Sequence, residues 1–80
     1  MEHSKEHHER ETAHSLQEAR RLLKDALGQL KLCEDAYLGR EAADWEKVAR
    51  LADKAFIAAQ ASILPLGSVG THALRRVALG

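Results

Sequence analysis

The residues most able to do chemistry stand at the start of the chain, in MEHSKEHHERETAH. On a helix, His3 and His7 are one turn apart, His7 and Glu11 likewise, and Glu11 with His14 forms a Glu-x-x-His pair. Residues three or four apart share a helix face, and imidazole with carboxylate is a donor set suited to Zn, Ni or Cu. His3, His7, Glu11 and His14 are therefore the candidate metal ligands of the sequence. Glu-x-x-His is also half of the di-iron motif of helical bundles. The complete centre needs further inward carboxylates, and the second half of the chain offers Ala, Trp, Phe and Ile at the matching positions. A ferritin-type centre is rejected on that ground.

Cys33 is the only thiol. It lies 19 residues from His14, about 28 Å along a straight helix, so no Cys/His couple can form within one helix. A small buried hydrophobe is the plainer reading of such a residue. A lone Cys fits a reducing compartment, and the expected location is cytoplasmic. No Ser/His/Asp set and no Gly-rich phosphate loop is present. The sequence predicts no catalytic residue, no resident cofactor and no enzyme.

Composition narrows the classes further. The 80 residues hold 12 Lys and Arg against 12 Asp and Glu, a net charge of zero. Neither a nucleic-acid binder nor a membrane-surface binder is expected from that balance. No apolar run reaches the roughly 18 residues of a transmembrane helix. Two cations, Arg75 and Arg76, are the only charges after residue 60. Fourteen Ala and twelve Leu against few β-branched residues make this a helix composition.

Several elements must position these groups. Residues 1–12 form a polar, His-rich leader. A helix is expected over about 13–38, with apolar residues at Leu16, Ala19, Leu23, Ala26, Leu30, Cys33 and Tyr37, spaced alternately three and four apart. Ser15 with Glu18 reads as a capping box, although Thr12 or Ser4 can also start the helix. A turn over about 39–43 follows, with Gly39 placed for a left-handed helix end and Asp44 as the next N-cap. A second helix over about 44–64 repeats the spacing at Ala42, Trp45, Ala49, Ala52, Phe56, Ala59 and Ile63. Pro65 is expected to end it. Residues 65–80 then read as a turn and a short amphipathic C-terminal helix from His72 to Leu79, capped by Thr71.

Two equal stripes joined by a short turn predict an all-α fold, an antiparallel helical hairpin with a short third helix. Folding at Gly39–Arg40 pairs Leu16 with Ile63, Leu23 with Phe56, Ala26 with Ala52 and Cys33 with Trp45. Leu22, Leu27, Leu32, Val48, Leu51 and Ile57 then lie off the seam, and Leu74 and Val77 add to them from the third helix. That surplus exceeds what a small monomer leaves exposed. The eight are the expected interface, and assembly with a second copy into a four-helix-type bundle is the expected outcome, with another protein as a further expected partner. Tyr37 and Trp45 near the tip are either core caps or interface anchors.

Two short resemblances add to this reading. Ala52, Phe56 and Ala59 followed by Pro65 look like the second helix of a tetratricopeptide repeat, but the first helix lacks that family's pattern and no repeat follows, so no function is carried over. Leu64-Pro65-Leu66-Gly67-Ser68-Val69 resembles the C-terminal targeting peptides of encapsulin cargo proteins. That resemblance implies a small helical cargo protein with a targeting segment. The favoured function is a homo-oligomeric interaction or adaptor module; the alternatives are a metal-binding protein and such a cargo protein.

Overall fold

A computed structural model describes residues 4–39 and 42–80. His3 and residues 40 and 41, within the span expected as a turn, lie outside the described residues. Three helices follow in order: α1 (Lys5–Tyr37), α2 (Trp45–Ala61) and α3 (Ile63–Ala78). The fold is the all-α hairpin, and no strand occurs among the described residues. α1 forms one arm; α2 and α3, nearly end to end, form the other. Together they make a rod of 61 × 15 × 14 Å, two helices thick.

Helix α1 begins eight residues earlier than expected. Ser4 has an extended backbone, and its Oγ accepts a hydrogen bond from the His7 N–H at 3.2 Å. That satisfies one of the donors left over at a helix start. Glu6 in the first turn complements the positive end of the helix dipole. The polar leader is thus helical from Lys5, and α3 lies along it. Ser15 caps nothing: it is a buried mid-helix residue.

At the tip, the Leu38 N–H bonds to Glu34 O at 2.8 Å and the Asp44 N–H to Ala36 O at 3.1 Å. Asp44 caps α2 as expected, its Oδ1 accepting from the Lys47 N–H at 3.1 Å. Gly39 has a different role from the expected one. It is not left-handed; instead a Cβ there would stand 2.9 Å from the Ala42 carbonyl oxygen. The turn needs a residue without a side chain because the chain passes so close.

Pro65 breaks the helix upstream of itself. A proline ring collides with the carbonyl four residues earlier and leaves it without a donor. Here that residue is Ala61, and α2 ends there. Ser62 serves as C-cap of α2 and N-cap of α3. Its Oγ donates to Ala59 O at 2.6 Å. Pro65 then sits in the first turn of α3, where its missing N–H costs nothing. α3 therefore starts at Ile63, well before the expected Thr71 cap. Leu64–Val69, the segment resembling a targeting peptide, belongs to this helix.

The packing seam is rotated by one residue from the expected one. On α1, His8, Thr12, Ser15, Ala19, Leu22, Ala26, Gln29, Cys33 and Ala36 are buried or half-buried, alternating four and three apart. On the other arm the same spacing runs Val48, Leu51, Ala55, Ala58, Ser62, Pro65, Val69, His72 and Arg76, unbroken across the bend. Side chains meet across the seam at His8 with His72 and at Ser15 with Ser68, and the Cys33 thiol meets the Val48 carbonyl. These numbers sum to 80, 83 and 81, where the expected pairs sum to 78 or 79. Leu16, Phe56 and Ile63, expected inside, are 51%, 60% and 62% exposed. Ala and Ser on the chosen face let the two axes approach; the Leu face holds them apart.

Candidate functional site

Two features follow from this seam. The first is a histidine cluster at the open end of the hairpin. His7 and His8 stand in the first turn of α1, and α3 brings His72 beside them. One ligand nitrogen from each of the three lies within 4.8 Å of the others. His8 Nδ1 and His72 Nδ1 are 2.9 Å apart, a hydrogen bond in which one ring donates and the other accepts. His8 is 4% exposed, and His7 and His72 are half-buried. The His7 ring meets both others nearly edge-on, at centroid distances of 5.2 and 5.8 Å.

Cross-helix ties stand on both sides of the cluster. Arg76 Nε donates to Glu9 Oε1 at 2.8 Å, one residue after His8 and one turn after His72. Ser15 Oγ donates to Ser68 Oγ at 2.9 Å, one turn before His72. Thr12 Oγ1 donates to the His8 carbonyl at 2.7 Å. The Thr12 bond lies within α1; the other two tie α3 to α1 independently of the imidazoles.

Of the three described ligands chosen from sequence, His7, Glu11 and His14, only His7 is in the cluster. Glu11 is half-buried outside it, and His14 is exposed two turns further on. His8 and His72 were missed. The signal was present: His72 is the one histidine in the second half of the chain, and a fold-back sum of 80 sets it opposite His8.

The second feature is the apolar flank of the rod. Leu16, Ala19, Leu23, Leu27 and Leu66, with Arg20 and Lys24, line a groove of about 410 Å³. On the other flank, Leu22, Gln29, Ile57, Ala58 and Ala61, with Asp25 and Lys54, line one of about 320 Å³. Among the eight expected interface residues, Leu27, Leu32, Ile57, Leu74 and Val77 are exposed. Leu22, Val48 and Leu51 are taken up by the seam instead. Tyr37 and Trp45 make an edge-to-face pair at the tip, centroids 5.9 Å apart, and both are exposed.

No protein-family model matches the chain, and no curated protein and no solved structure is similar to it. Function must therefore be argued from these two features. No helix among the described residues is long and apolar enough to cross a membrane.

Remaining polar groups are local. Cys33 is half-buried, and its thiol donates to the Val48 carbonyl at 3.5 Å. Arg21 reaches Glu18 on the surface at 2.6 Å, and this hydrogen bond holds the Glu18 carboxyl below its ordinary range.

Proposed function

We propose that the chain is a small non-catalytic interaction module that works as a homo-oligomer, with a second copy covering its apolar flank. One observation carries this reading. Among the described residues, the only buried apolar ones are Ala19, Ala26, Leu51 and Ala58, while sixteen large apolar side chains are exposed. The accessible surface is 6281 Å², against about 4,800 Å² for a compact monomer of this mass. The excess is about what one subunit gives up in an obligate dimer.

Two further observations favour a copy of the same chain as occupant. Net charge is zero, so two copies meet without long-range repulsion. The exposed Leu16, Leu23, Leu30 and Tyr37 repeat every seven residues along α1, the spacing with which a third and fourth helix pack. A two-helix rod that doubles becomes a four-helix bundle with an interior. The non-catalytic part of the reading is supported by the partners of the nucleophiles: Ser15 meets Ser68 and Cys33 meets a carbonyl, neither of them a base. The lone thiol favours a cytoplasmic setting.

Sedimentation velocity at micromolar concentration tests the reading. The wild type should run as a dimer or larger. Leu27→Glu, at a position 65% exposed within the chain, should fold normally and weaken association by at least about tenfold. A wild-type compact monomer sinks the proposal.

A further inference from the structure

We infer that His7, His8 and His72 form a three-imidazole site for a divalent transition metal, Zn(II) being the fitting ion, which fastens α3 to the start of α1. The argument begins with donor geometry. In tetrahedral Zn coordination the Zn–N bonds are about 2.0–2.1 Å, which sets neighbouring nitrogens about 3.3 Å apart. The three imidazoles stand close to that already: His8 and His72 present nitrogens 2.9 Å apart, and all three ligand atoms lie within 4.8 Å.

The site is also held in advance. The Glu9–Arg76 ion pair stands on one side of it and the Ser15–Ser68 hydrogen bond on the other. Both place α3 on α1, so the ligands from two helices are brought together before any ion arrives. Such preorganisation lowers the entropic cost of binding. Burial of His8 at 4% exposed keeps bulk water from competing at one side.

Coordination is balanced without oxidant or leaving group. Neutral imidazoles donate a ring nitrogen each. The proton shared between His8 Nδ1 and His72 Nδ1 moves, through water, to the Nε2 of its own ring, so neutral rings release no net proton. Three protein ligands leave a fourth position for water, as in other three-histidine zinc sites. The consequence is structural. A chain of this size with little core and no disulfide is the kind that a metal stabilises, and here it would do so at the end farthest from the turn.

Calorimetric titration of the chelator-treated full chain with ZnCl₂ tests this. One Zn per chain with a Kd of order 1 µM or tighter is expected. His72→Gln should weaken it by at least about tenfold, His7→Gln likewise, and His14→Gln should leave it unchanged. Far-UV circular dichroism checks folding; should His72→Gln lose helicity, the half-buried His7→Gln carries the comparison. Co(II) gives a second readout: an intense visible band signals tetrahedral nitrogen ligation, and its loss in either variant supports the site. Two results overturn the proposal: Zn affinity weaker than about 100 µM, or Zn binding that is unchanged in the folded His72→Gln and His7→Gln variants.

Discussion

Where α3 lies on the first half of α1, the two arms are joined by polar side chains: His8 to His72, Glu9 to Arg76, Ser15 to Ser68. Where α2 lies on the second half, they are joined by packing, with Ala26, Leu51 and Ala58 buried and Cys33 against Val48. The same three-four spacing runs through both halves. The difference lies in how each half specifies its alignment. Packed Ala and Leu are tolerant of sliding, because apolar contact is non-directional. Hydrogen bonds and ion pairs are directional, so the polar half fixes the register that the apolar half fills.

Breaking the apolar half should cost most. Leu51 is the one large apolar side chain buried among the described residues, at 6% exposed. Leu51→Ala should lose about 2–4 kcal/mol, lowering the melting temperature by roughly 10 °C or more. A melting curve that overlays the wild type would mean that the packed half is not what holds the hairpin.

The polar half can be probed by a double-mutant cycle. Ser15→Ala leaves the Ser68 hydroxyl without its partner and should cost about 1 kcal/mol in urea denaturation. Adding Ser68→Ala should recover much of the loss, since both polar groups are then gone. Strict additivity of the two substitutions would show that the bond sets no register.

A smaller effect sharpens the comparison within the polar half. Gly67 is an interior residue of α3, and nothing lies within 4 Å of where its Cβ would be. Gly67→Ala should stabilise the chain by about 0.5–1 kcal/mol. A loss of stability at that position would point to an unseen neighbour on that face of α3.

Much of the fold was legible in the sequence, and the reasons are local. Asp44 announces α2 because an aspartate at that place can accept from the Lys47 N–H. Pro65 announces a break because its ring acts on the carbonyl four residues back, although the break then falls at Ser62 rather than at Pro65. The face of α1 was harder to read. Leu16, Leu22, Leu23, Leu27 and Leu30 make a stripe so wide that periodicity allows two seams one residue apart. Choosing between them requires knowing that the smaller face turns inward, and that the Leu face is left for something else. The histidine cluster depends on the same choice. Shifting the fold-back by two residues separates His8 from His72, and no local signal in MEHSKEHH points to a partner 64 residues away.

The cross-seam ties join residues ever farther apart in sequence as they leave the tip: 15 for Cys33–Val48, 53 for Ser15–Ser68 and 64 for His8–His72. Closing a chain costs more entropy as the loop lengthens, though the cost grows slowly. Assembly should therefore start at the turn and close toward the histidines. Lys5 and Leu79 stand at the same end of the rod, so a load applied to them would peel the ties open one after another rather than shear them together. The Glu9–Arg76 pair and the imidazole cluster are the first ties to meet the load, so together they set the force at which peeling begins.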